Sequence, residues 1–137
     1  GWRGKKFLLI REGDMAKVKK SPEREQRIMM EIVVDAHDAE ERAMGWYCYL
    51  QEALAEPFTA ICVAERAISP LRKGDEVEVL EIAPEEECRH EMFVGMRWER
   101  RPLAVPLAQL KPIAETNKET KEAVADWHYW IARGYEL

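Results

Sequence analysis

A chain of 137 residues is long enough for one well-packed domain and short for two. Residues 1–27 hold nine bases and four acids, net +5, whereas residues 28–137 hold twelve bases and twenty-two acids, net −10. A body this acidic excludes the broad basic surface of a nucleic-acid binder, 47% hydrophobic residues exclude a disordered chain, and no apolar run nears the ~20 residues of a membrane-spanning helix.

Residues 1–20 read as a basic, flexible N-terminal extension, with residues 21–137 as a single domain. Met15-Ala16-Lys17 resembles a native amino terminus, so residues 1–14 read as an upstream extension, and they lack the apolar segment and cleavage site of a secretory signal. Ser21-Pro22-Glu23 predicts a helix start, with Ser as cap, Pro at the first helical position and acid in the first turn. That helix runs through Ile28, Met29, Ile32 and Val33, with a β-branched strand over 30–35 as the competing assignment. Asp38 restarts a helix as its cap, with Glu41 three residues on. Ala39, Ala43, Trp46, Leu50 and Leu54 recur at helical steps, widened by Met44, Tyr47 and Ala53, until Pro57 stops them.

The period then changes. Phe58–Arg66, Glu76–Ile82, Met92–Glu99 and Leu103–Pro106 read as strands, separated by Ser69-Pro70 and Lys73-Gly74-Asp75. Pro106–Leu110 predicts one tight helical turn. Asn117–Arg133 is the last helix, with Ala123, Trp127, Trp130 and Ile131 inside and Gly134 as the stop. Four or five short strands closed by a tight turn predict an α+β fold: a small SH3-like β-barrel packed with N-terminal and C-terminal helices.

Two acidic stretches carry the candidate chemistry. Glu31, Asp35, Asp38, Glu40 and Glu41 lie in eleven residues without a base, and eight acids in 75–91 face only Arg89. A continuing helix puts Glu31, Asp35 and Asp38 on one face; a turn at 35–38 makes the two aspartates converge at a junction. Carboxylates this dense repel, and a hard divalent cation relieves that. The same acids also make sense as a solvated face, with Asp38 and Glu41 as a capping box. No EF-hand loop is present. Cys88-Arg89-His90 has the wrong spacing for zinc, and in a strand its Cys and His point to opposite faces, against a thiol–imidazole pair. Without a nucleophile elbow or Gly-rich loop, the chain does not read as an enzyme. Cys48, Cys62 and Cys88 are odd in number and widely spaced, which suits reduced thiols in the cytoplasm. The aromatics of the two long helices read mainly as core, with Tyr49 and Tyr129 off the apolar stripe and exposed.

Several composite motifs go further: Glu31-Ile32-Val33-Val34-Asp35-Ala36, Glu40-Glu41-Arg42-Ala43-Met44-Gly45-Trp46-Tyr47, Pro57-Phe58-Thr59-Ala60, Ile68-Ser69-Pro70-Leu71, Ala83-Pro84-Glu85-Glu86-Glu87-Cys88 and Asp126-Trp127-His128-Tyr129-Trp130. Together they resemble the CcbP-like small calcium-binding proteins first described in cyanobacteria, over residues 28–137. The resemblance implies a bacterial cytoplasmic protein that buffers or senses Ca2+ through clustered carboxylates, with no nucleic-acid or membrane partner. By position it points to Asp35 and Asp38 first, then Glu41 and the Glu85, Glu86, Glu87 loop, as metal ligands. The alternative is an SH3-like protein-interaction module whose acids are only solvated surface.

Overall fold

Three side-chain caps start the α-helices found among the described residues, and a computed structural model, which describes residues 19–135, shows each of them closed. Residues 1–18, most of the basic extension, and 136–137 lie outside the described residues. Helix α1 (Pro22–Arg27) has Ser21 Oγ accepting from the Arg24 N–H. The predicted continuation differs: Ile28–Ile32 forms a π-helical turn, and the strand assignment fails because Ile28, Ile32 and Val33 are buried on one side of that turn. Helix α2 (Ala39–Ala53) is capped by Asp38, and α3 (Lys118–Ala132) by Asn117, whose carbonyl oxygen accepts from the Thr120 N–H. Gly134, at φ 84°, follows α3 in the left-handed conformation that favours glycine at a helix end.

The strands are β1 (Phe58–Cys62), β2 (Glu76–Val79), β3 (Glu81–Ile82), β4 (Phe93–Trp98), β5 (Arg101–Pro106) and β6 (Leu110–Pro112). All pairings are antiparallel, in two sheets ordered β2-β1-β6 and β3-β4-β5. The α+β class therefore holds, but among the described residues the strands form two sheets and do not close into the expected SH3-like barrel. Leu80 interrupts the long strand expected over Glu76–Ile82, which divides between the sheets as β2 and β3. The one-turn helix after Pro106 is present as the 3₁₀ turn Leu107–Gln109. In β1 the buried parity is Phe58, Ala60 and Cys62, while Val63 beyond it is exposed.

Packing centres on α2 and α3. Trp46 meets Trp127 edge-on at 5.0 Å between ring centroids and Trp130 at 5.6 Å, and all three are buried. Each such pair contributes about 0.5–1.5 kcal/mol beyond its burial. Ala39, Met44 and Ile131, expected inside, are exposed, so both apolar stripes are narrower than the spacing suggested. Gly45 lets α2 touch the π turn: a Cβ there would lie 2.3 Å from the Ile32 carbonyl oxygen. Among the described residues, no helix is long and apolar enough to cross a membrane, and Cys48, Cys62 and Cys88 are free.

Candidate metal centre

The chain turns after the π turn instead of continuing as helix, so Glu31, Asp35 and Asp38 do not share a helical face. Asp35 takes φ 62°, a left-handed conformation that aspartate tolerates better than most residues. It is exposed there, as are Asp38 and Glu41. Asp38 Oδ1 accepts from the Glu41 N–H at 2.9 Å, and Glu41 Oε1 accepts from the His37 N–H at 2.6 Å. Each of these two carboxylates thus spends one oxygen on starting α2 and keeps a second for other partners. The positive end of the helix dipole favours Asp38, Glu40 and Glu41 in place, and it opposes a cation at the same spot.

The second stretch is positioned by burial behind it. Ile82, Ala83 and Cys88 are buried, and they hold Glu85–Cys88 in a 3₁₀ turn whose Glu85, Glu86 and Glu87 all face outward. Cys88 Sγ accepts from the Phe93 N–H at 3.4 Å. Burial pushes the Cys88 thiol above its ordinary pKa, the Phe93 bond works against that shift, and the Glu87 charge adds to it.

The turn packs against α2 and leaves a cleft of ≈ 360 Å³. Glu40 and Tyr47 line it from the helix; Glu85, Cys88, Arg89 and His90 line it from the turn and just beyond. The Tyr47 hydroxyl is held above its ordinary pKa, first by burial and then by the nearby charges of Cys88, Glu85 and Glu86. The two acidic stretches therefore meet through Glu40 and Glu85. Glu40, counted in the first acidic stretch but not among the ligand candidates, belongs to this cleft; Asp35, Asp38, Glu41 and Glu86 do not line it, and Glu87 lines the opposite side of its turn. Among the described residues, no three His, Cys, Asp or Glu side chains converge on one point in the way a metal cage requires.

A different charged cluster has no signal in the motif spacing. Asp126 is fully buried on α3, and it accepts from Arg24 Nη1 at 2.5 Å, from Arg27 Nη1 at 2.9 Å and Nη2 at 2.6 Å, and from Tyr49 Oη at 2.5 Å. Tyr129 Oη donates to Glu25 and accepts from the Ser21 N–H. Tyr49 and Tyr129, expected exposed, are half-buried for these reasons. Burial, followed by the Asp126 bond, raises the Tyr49 pKa. Since α1 has no buried residue, this polar clamp is what docks it. The one sequence hint was an aspartate beside Trp127 on an otherwise apolar helix face.

With the geometry in place, the likenesses to known proteins are specific. A family of calcium-binding proteins, CcbP, matches residues 26–131. The crystal structure of Anabaena CcbP is 39% identical, with a TM-score of 0.77, over 88% of this chain and 98% of that one. A calcium-binding protein solved in its calcium-binding form is 38% identical over the same shares, also with a TM-score of 0.77. No curated protein sequence matches this chain.

Proposed function

This chain belongs to the CcbP family of calcium-binding proteins, and from that membership we propose that it binds Ca2+ through clustered Asp and Glu oxygens without an EF-hand. The observation that carries the reading is the packing of α2 against the Glu85–Cys88 turn, which sets Glu40 and Glu85 in one cleft. The donors fit the ion: they are hard carboxylate oxygens, and Ca2+ takes about six to eight oxygens in irregular geometry. Asp35, Asp38, Glu41, Glu85, Glu86 and Glu87 are the proposed ligands, with Glu40 added from the cleft. A bound cation adds counter-charge to carboxylates that only Arg89 accompanies in the cleft.

The residues impose their own conditions on binding. Asp38 and Glu41 offer one oxygen each while they cap α2. Because no three candidate ligands converge, the Glu85–Cys88 turn and the Asp35–Glu41 junction have to approach each other to share an ion. The activity is binding, not catalysis, and the role is buffering or sensing of Ca2+ in the cytoplasm, where three unpaired thiols are at home. Residues 21–137 act as one domain in this reading.

Thermal unfolding with Ca2+, Mg2+ or chelator tests it. A ligand at 100 times its Kd adds about 2.7 kcal/mol. Ca2+ should raise the midpoint well beyond Mg2+ at equal concentration, and Asp35→Asn with Asp38→Asn should remove that rise in a folded protein. Equal midpoints in the two ions sink the proposal; an undiminished rise in the double variant moves the site elsewhere. A second reading, a protein-interaction module whose acids are only solvated surface, is favoured by one observation: Leu80 is exposed where the chain passes from one sheet to the other, with an open groove beside it.

A further inference from the structure

Gly95 sits inside β4, the central strand of its sheet, opposite Glu81 on one side and Ala104 on the other. Nothing within the fold requires glycine there. Its φ is not among the positive ones, and an added Cβ would meet only Glu81, at 3.6 and 3.7 Å, which is ordinary contact. A glycine within a strand often marks a bulge, a tight bend or a place where a ligand or another backbone comes close, and the unbroken pairing of β4 with β5 leaves no bulge at Gly95.

The space above Gly95 agrees. A groove of ≈ 490 Å³ runs across it, lined on that face by Leu80, Pro102 and Ala104 beside Glu81 and Arg97. A second of ≈ 310 Å³ shares Leu80, Met96 and Arg97 and reaches Trp98. The charged residues along the two are Glu81 and Glu87 at one end, Glu76 and Glu78 at the other, and Arg97 between. None of the four glutamates forms an ion pair among the described residues.

We propose that this outer face of the β3-β4-β5 sheet docks an extended, basic, aliphatic peptide segment of a partner protein. Apolar side chains of the segment seat over Gly95 and Leu80, and its cations meet the four glutamates. The same charges select against other occupants. Nucleic acid and anionic lipid are repelled, and a second copy would bring its own four glutamates to the contact. The inference deepens the interaction-module reading, and it stands whether or not the chain binds Ca2+.

The test uses the whole chain in chelator, so that no cation competes at Glu87. Fluorescence anisotropy follows a labelled peptide of three Lys-Leu-Pro repeats, with Glu-Leu-Pro and Lys-Ser-Pro repeats as controls. The proposal predicts saturable binding of the first and at least tenfold weaker binding of both controls. Gly95→Val fills the groove and should weaken binding at least tenfold with circular dichroism and melting temperature unchanged. Ala104→Val makes the same test from β5 if the first variant does not fold. Any of four results overturns the proposal: no saturable binding up to about 1 mM peptide, equal binding of the Lys-Ser-Pro control, parental affinity in a folded groove variant, or a dimer of the chain that Ala104→Val dissociates. The last would place a second copy in the groove. Failure here leaves the calcium midpoint shift untouched, so the two readings are separable.

Discussion

Gly45→Ala is the sharpest test of how the acidic junction is held. On an exposed helix this change stabilises, because alanine is favoured over glycine by about 1 kcal/mol. Here the new Cβ would lie 2.3 Å from the Ile32 carbonyl oxygen and 3.3 Å from its carbon. Both atoms are backbone, so no flexible side chain can swing away. Restoring a normal carbon–oxygen contact moves α2 or the π turn by roughly 1 Å, beside the fully buried Trp46 and the buried Ile32 and Val33. Overpacking of this kind costs about 1–3 kcal/mol. With two backbone segments involved, the upper part of that range applies, and the net expectation is a loss of about 1–2 kcal/mol after the gain in helix propensity. Urea unfolding followed by tryptophan fluorescence reads this as a lower midpoint at unchanged slope. Because the π turn leads directly to Asp35, calcium affinity should fall as well. A variant more stable than the parent would refute the argument, since it would mean that α2 and Ile32 are not in contact.

Asp38 allows the capping and metal roles to be separated: Asp38→Asn keeps a good cap and should change stability by only a few tenths of a kcal/mol while weakening Ca2+ binding, whereas Asp38→Ala should also lose about 1 kcal/mol in chelator, both read by denaturant unfolding and titration. Asp126→Asn should free α1 and cost about 2 kcal/mol, less than a fully buried pair because both arginines are partly hydrated; hydrogen exchange should show lost protection over residues 22–27 first, a helix without buried side chains. Burial holds the His128 pKa below its ordinary 6.5, so below that pH the unfolded chain binds more protons than the folded one. Stability should therefore be complete above about pH 6.5 and fall as the pH drops towards the folded-state pKa, at up to about 1.4 kcal/mol per pH unit, and His128→Gln should flatten that slope in melts across pH 5–8.

Local signals were legible wherever one residue settles the local conformation. Ser21-Pro22, Asp38 and Asn117 start helices as expected, and Pro57 and Gly134 stand just beyond helix ends. Strand positions also emerged from alternation, except that the three-residue β6 is too short to show a period. Barrel closure was not legible, because it depends on how Leu80 divides one apparent strand between two sheets. The Asp126 clamp escaped for a related reason: its partners lie 77 to 102 residues away, and no periodicity reports a contact at that range. At the site, composition located both acidic stretches but not their meeting point. Glu40 and Glu85 share a cleft because buried Ala43 and Cys88 bring their elements together, a packing fact that local charge counting does not contain.

Glu40 and Glu85, where the two acidic stretches meet, are proposed to serve one cation together with the carboxylates around them. Calorimetric titration of the whole chain with Ca2+, before and after Glu40→Gln with Glu85→Gln, tests that directly. Saturable heat with Ca2+, absent with Mg2+ at the same concentration and strongly reduced in the folded double variant, is the predicted result. A flat Ca2+ titration, or parental affinity in the variant, contradicts it.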